Sequence, residues 1–249
     1  MEYGNHFVRE AVCTFRFAAS GETKDYLDHT WHFYQAIKDA GFTEKKRRPV
    51  HVNFKVRQDA PVEEFEPTVT HGSVASVFTN NETGYSIIFD ENLISFNCVK
   101  NYTGWEIFLE NFILPYLKIY IGLNIAQSLQ NAQMAYINDV PLETSEKLSD
   151  YLSFIPSIGE HSSELSVVFQ GNYQINPTLI ASVQAMLSPV GSDNDVRRAI
   201  IECNSLASVS ETISNDWLDK AMELAAIAHD NACSVFANVA TTHFKTRIK

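Results

Sequence analysis

Trp105-Glu106-Ile107-Phe108-Leu109-Glu110-Asn111-Phe112-Ile113-Leu114-Pro115-Tyr116-Leu117-Lys118-Ile119-Tyr120 is the stretch on which the fold turns. Trp105, Phe108, Leu109, Phe112, Ile113, Tyr116, Leu117 and Tyr120 recur at the spacing of a single helix face. A stripe that apolar must be buried, and a long helix following several strands is expected to lie across their sheet. Pro115 has no amide hydrogen to give, so a kink is expected there. The apolar run from Phe112 to Ile125 is broken by Pro115, Lys118 and Gly122. It falls short of the roughly 20 residues that span a bilayer, which makes it a core helix.

Upstream of this helix, Val8 to Phe17 alternates around Val12, Phe15 and Phe17 and predicts a strand. Asp28 or Thr30 then caps a helix with Trp31, Tyr34 and Ile37 as its apolar positions, ending at Gly41. Val50 to Val56, Val74 to Phe78, Tyr85 to Phe89 and Leu93 to Val99 are short and rich in β-branched and aromatic residues, so each predicts a strand. Asp90-Glu91-Asn92 reads as the hairpin turn between the last two.

Downstream, Ala132 to Val140 predicts a strand and Ser145 to Tyr151 a short helix. Leu165 to Gln174, Thr178 to Leu187 and Arg198 to Ser208 predict further strands. A helix from about Asp216 to Val239 closes the chain, with Trp217, Ala221, Leu224, Ala225, Ala228, Ala232, Val235, Phe236 and Val239 along one side. Trp105 and Trp217 each stand in the first turn of a closing helix, where a large ring anchors helix to sheet. The expected fold class is therefore α+β, in two tandem β-α-β(3-4)-α halves at residues 1–125 and 126–249, intimately packed. Each half is expected to be an antiparallel sheet covered on one face by long helices. The arrangement looks like the pseudo-duplicated saddle of the TATA-binding-protein type; a helix-grip sheet around the last helix is the alternative.

The formal charge of −11 disfavours nucleic acid, because neutralising phosphates takes clustered Lys and Arg. The N-terminal residues include an acid and no apolar run, so export is not expected and a cytoplasmic location is. Cys13, Cys98, Cys203 and Cys233 form no CxxC pair and read as small buried hydrophobes rather than metal ligands or disulfides. No phosphate-cradling glycine loop or nucleophile elbow occurs, and neither a cofactor nor a metal is expected. His29 and His32, three apart on a helix, lack a third ligand. His71 in Thr70-His71-Gly72-Ser73, the acidic group Glu63, Glu64 and Glu66, and the pair Asp193 and Asp195 all read as solvated loop residues.

Two features remain as candidate binding residues. Lys45, Lys46, Arg47 and Arg48 form a basic run that continues to Lys55 and Arg57. On a strand from Val50, Lys55 and Arg57 would share a face with His51 and Asn53, able to grip a phosphate or an acidic partner. Weighed against this is a solvated strand face that discourages edge aggregation. His229, beside Asp230 among Ala225, Ala226, Ala228 and Ala232, is placed at a tight helix interface.

Three segments carry a resemblance: Tyr102-Thr103-Gly104-Trp105, Tyr136-Ile137-Asn138, and Leu218-Asp219 with His229-Asp230 and Phe236. Through them the chain is similar to a sporadically distributed bacterial protein family of about 250 residues with no established biochemical function. That resemblance implies horizontal transfer and a place in mobile-element conflict or phage defence. Where the family is expected to carry an arginine before the Tyr-Ile-Asn stretch this chain has Ala135, so no arginine-based role comes with it.

Absent catalytic motifs and 12% aromatic residues point first to a non-enzymatic binding or regulatory protein that holds a protein partner or a second copy of itself. A small-molecule or nucleotide binder, with a tyrosine-lined pocket between sheet and long helix, is the second expectation. A metal-independent hydrolase or nuclease using the scattered histidines is the third.

Overall fold

The computed structural model describes residues 7–18, 26–47, 50–54, 67–71, 75–90, 92–100, 102–125, 128–143, 146–155, 168–187, 197–213 and 217–247. Its strands are β1 (Val8–Phe17), β2 (Thr43–Arg47), β3 (Val50–Phe54), β4 (Pro67–His71), β5 (Ala75–Asn80), β6 (Tyr85–Asp90), β7 (Leu93–Cys98), β8 (Leu129–Leu142), β9 (Val168–Asn176), β10 (Leu179–Leu187) and β11 (Arg197–Ile213). The helices are α1 (Tyr26–Ile37), α2 (Trp105–Phe108), α3 (Leu114–Gly122), α4 (Leu148–Tyr151), α5 (Trp217–Val239) and α6 (Thr242–Arg247).

Nine strands form one antiparallel sheet in the order β2-β5-β6-β7-β1-β8-β11-β10-β9, and β3 and β4 pair only with each other. This corrects the expectation of two tandem β-α-β(3-4)-α halves and of a saddle built from them. β1 and β8, which were to open separate halves, hydrogen-bond to each other in the middle, from Val8↔Asn138 to Phe17↔Leu129. With no boundary between sheets, the architecture is a single broad sheet with helices against it.

The faces follow from side-chain alternation. Ala11, Cys13, Phe15 and Phe17 of β1 are buried, as are Phe96 of β7, Met134 and Tyr136 of β8 and Cys203 of β11. These share a face with the buried side of α5, whose Ala221, Ala225, Ala228 and Ala232 carry so little bulk that the helix axis lies close to the strands. Asn231 Nδ2 donates to Ser205 Oγ of β11 at 2.8 Å across this contact.

The stripe at 105–120 is helical, but not as one α-helix. Leu109–Ile113 takes a π turn between α2 and α3, and Pro115 is the second residue of α3. Widening the turn ahead of a proline relieves the clash and the missing hydrogen bond that would otherwise kink the helix there. Of the expected stripe, Phe108, Phe112, Ile113, Leu117 and Tyr120 are buried, while Trp105, Leu109 and Tyr116 are only partly so. In α1 the buried residues are Thr30, Phe33 and Ile37, while Trp31 is 56% exposed. Phe33 packs between Phe78 and Phe89, with centroids at 5.5 and 4.9 Å, and this sets the helix's rotation. Gly41 ends the helical segment in a left-handed conformation with φ of 85°, as its position implied.

The basic run from Lys45 to Arg47 lies in β2, and Thr70 and His71, expected in a loop, end β4. Four of the five β2 residues are charged, so the strand has no apolar alternation to betray it. Of the cysteines, Cys13, Cys98 and Cys203 are buried, whereas Cys233 is exposed. Among the described residues, no helix is long and apolar enough to cross a membrane.

Candidate functional site

Tyr136 of β8 points to the helix-bearing side of the sheet and meets His229 of α5. Its hydroxyl lies 2.7 Å from His229 Nδ1 and 3.0 Å from the Tyr102 hydroxyl. The indole of Trp105 stacks on the imidazole, with centroids 4.6 Å apart and planes 10° from parallel. One turn along α5, Cys233 Sγ sits 3.7 Å from Nδ1. Asp230 Oδ1 is 4.0 Å from Nε2. The three segments that carried the family resemblance therefore converge in space at Tyr102, Trp105, Tyr136 and His229.

Burial lowers the His229 pKa, opposed by the Asp230 carboxylate. The ring is accordingly neutral at pH 7, and in the tautomer with its proton on Nε2 the Tyr136 hydroxyl donates a hydrogen bond to Nδ1. Burial also raises both Tyr102 and Tyr136. Partial burial of the sulfur, helped by the Asp230 charge, raises the Cys233 thiol to about 11. A thiol held protonated is a poor nucleophile. The cluster binds α2, β8 and α5 together.

The opposite face of the sheet has a different chemistry. Thr14 and Ser95 hydroxyls lie 2.8 Å apart, Ser95 donates to Asn97 Oδ1 at 3.0 Å, and Asn97 donates to Glu10 Oε1 at 3.1 Å. Further along, Gln133 Nε2 lies 3.4 Å from Asn204 Oδ1, and Asn204 donates in turn to Glu202. Arg198 pairs with Asp139 at 2.7 Å. Val12, Ala135 and Ile137 sit among these residues, opposite Asn97, Asn204 and Glu202 respectively in the strand register. Asn131 Oδ1, also on this face opposite Arg16, is buried with no hydrogen-bond partner among the described residues.

No family model, curated protein or solved structure matches this chain.

The expected basic site is only partly within view. Lys45, Lys46 and Arg47 lie in β2 at the sheet edge, in register with Val77, Ser76 and Ala75. Arg48, Lys55 and Arg57 lie outside the described residues, as do Glu63, Glu64, Glu66, Asp193 and Asp195. The strand face proposed from Val50 belongs to the small β3–β4 pair rather than to the main sheet, with His51 opposite Thr70 and Asn53 opposite Thr68. His71 ends β4, opposite Val50. His32 lies on the exposed side of α1, 3.5 Å from Asp28. Among the described residues no three metal-binding side chains converge.

A second polar cluster escaped sequence reading. Glu146 accepts hydrogen bonds from the Tyr151 hydroxyl, the Glu143 amide, His243 at 2.9 Å and Arg247 at 3.0 Å. Arg247 also bonds to Tyr151 and to the Pro141 carbonyl. Burial alone would raise the Glu146 pKa, but these donors and the guanidinium charge outweigh it and hold the carboxyl at about 2. The cluster clasps α6 to α4 and the end of β8. His243 and Arg247 lie 97 and 101 residues from Glu146, so spacing offered no signal.

Proposed function

We propose that this chain is a non-enzymatic binding protein that holds a protein partner on the helix-free face of its sheet. The observation that carries the reading is that face itself. Polar side chains, charged at Glu10, Arg16, Asp139, Glu202 and Arg198 and uncharged at Thr14, Ser95, Asn97, Gln133 and Asn204, surround Val12, Ala135 and Ile137 on the central strands. Thr14, Ser95 and Ala135 are the most buried of them, and no described helix packs there. Such a mosaic offers both hydrogen bonds and apolar area, the mixture found in non-obligate protein interfaces. Its three carboxylates Glu10, Asp139 and Glu202 outnumber its two guanidinium groups, Arg16 and Arg198, so a partner surface that is neutral to mildly basic fits best. The Tyr102–Tyr136–His229 chain supports the same reading, because its hydrogen bonds close on one another instead of facing a substrate.

The test is reconstitution with a stoichiometric partner purified from the native cells. Gln133→Arg and Asn204→Arg are expected to weaken the complex at least about tenfold, roughly 1.4 kcal/mol, while Glu223→Ala on the outer side of α5 leaves it unchanged. A partner whose affinity ignores both face variants, in chains shown to be folded by circular dichroism, overturns the proposal.

A further inference from the structure

The sheet ends in two edges of opposite character. β2 is five residues long and reads Thr-Glu-Lys-Lys-Arg, a charged edge of the kind that resists pairing with another strand. β9 is nine residues long and reads Val-Phe-Gln-Gly-Asn-Tyr-Gln-Ile-Asn, with no charge and no proline. β10 beside it is also uncharged. β9 pairs with β10 on one side, and no described strand pairs with its other side. Every second residue of an edge strand turns its amide and carbonyl outward, so a long regular edge is a template for a further strand.

What such a strand should be follows from the β9 sequence. Laid antiparallel on a second copy about Asn172, Gly171 falls opposite Tyr173, Gln170 opposite Gln174, and Asn172 opposite itself. Amide meets amide on one face, and the largest side chain meets the smallest on the other. Tyr173 already leans over its own Gly171, where an added Cβ would lie 2.9 Å from the phenol oxygen, so a larger residue there would displace the ring. The bulge in the pairing with β10 leaves Ile175 51% exposed. In the self-paired register Ile175 comes opposite Phe169 of the second copy, which would cover it. Ile180 and Met186 of β10 are exposed nearby at 42% and 40%, so the end of the sheet is apolar as well as uncharged. Two copies of a chain with formal charge −11 repel one another, and a contact free of charge is the kind they can form.

We infer that the protein forms a two-fold dimer by antiparallel pairing of β9 with β9 of a second copy, joining the two sheets into one. The contact leaves the helix-free face of the central strands open and does not depend on the proposed partner.

Sedimentation velocity of the full chain over a concentration series tests this. The expected species has twice the 28.1 kDa chain mass. Asn172→Lys puts like charges directly opposite each other at the two-fold axis and is expected to raise the dimer dissociation constant at least about tenfold. Its far-ultraviolet circular dichroism should be unchanged. Asn172→Cys, made together with Cys233→Ser to remove the exposed native thiol, is expected to give a disulfide-linked dimer on mild oxidation. A monomer at all concentrations overturns the inference, and so does a dimer that survives Asn172→Lys and fails to cross-link through position 172.

Discussion

The sheet rests on two cores built in different styles. The one over β5, β6, β7 and β1 is made of rings: Phe15, Phe33, Phe78, Phe89, Phe96, Phe108, Phe112 and Tyr120 are all essentially without exposure. They stack and cross at short range, with Tyr85 on Phe112 at 4.2 Å and Phe96 edge-on to Phe112 at 5.5 Å. The core over β8, β11 and β10 is mainly aliphatic on the sheet, with Val140, Ala181, Val183, Ala185, Ala199 and Ile201, is capped by two fully buried rings, Tyr151 and Phe244, and is closed from outside by the Glu146–Arg247 clasp. Large rings fill a deep space between sheet and helices in few pieces. Small side chains let the helix end approach closely, and the energy there comes from many modest contacts together with a polar lock. α5 spans both, with its alanines over the first core and Val235 and Val239 in the second.

Breaking the ring core should have the largest effect. Phe112→Ala removes the residue shared by the Tyr85, Phe96, Phe42 and Tyr116 contacts. It is expected to cost about 3–5 kcal/mol in urea denaturation. Val183→Ala in the aliphatic core is expected to cost about 1.5–3 kcal/mol. Because α5, β8 and β11 serve both regions, each variant should show one transition by fluorescence and by circular dichroism; two transitions would make the cores separate units.

Glu146→Gln opens the clasp while leaving the ring core untouched, and should cost about 1–3 kcal/mol at neutral pH. The wild-type contribution has a definite pH signature. A carboxyl held at about 2 in the folded state stabilises fully above its ordinary value near 4.3. That stability is lost as pH falls from there toward about 2, and the Gln variant should lack this part of the acid transition.

The smallest effect belongs to His229→Phe, which keeps a ring beside Trp105 but removes the acceptor for Tyr136, at about 1 kcal/mol. Because folding lowers the His229 pKa, the unfolded chain binds the proton more readily. Stability should therefore fall as pH drops below the ordinary histidine value near 6.5. Thermal melts between pH 5 and 8 should show that slope in the wild type and a shallower one in His229→Phe.

The local elements were legible wherever a pattern reports burial. β1 runs over Val8–Phe17 as its alternation implied, the hairpin of β6 and β7 surrounds Asp90 to Asn92, and α5 begins at Trp217. What could not be read was the pairing of β1 with β8, since register between strands more than a hundred residues apart leaves no trace in either one. Tertiary packing also outweighed pattern at Trp31, which is exposed because Phe33 takes the place between Phe78 and Phe89. The small neighbours of His229 mark it as an interface residue, yet its ring partner Trp105 and its hydrogen-bond partner Tyr136 come from distant segments with no spacing that links them to it. Glu146 had no local signal at all.

The place of β1 also sets a schedule. Its two neighbours in the sheet are β7, beginning at Leu93, and β8, beginning at Leu129. On a translating ribosome adding about 5–20 residues per second, β1 emerges roughly 4–15 s before the first of them. During that interval a strand carrying Phe15 and Phe17 has no partner on either side. The β1 seam of the sheet thus closes only after β5 and β6 can already pair, and until β7 and then β8 arrive the apolar side chains of β1 need shelter.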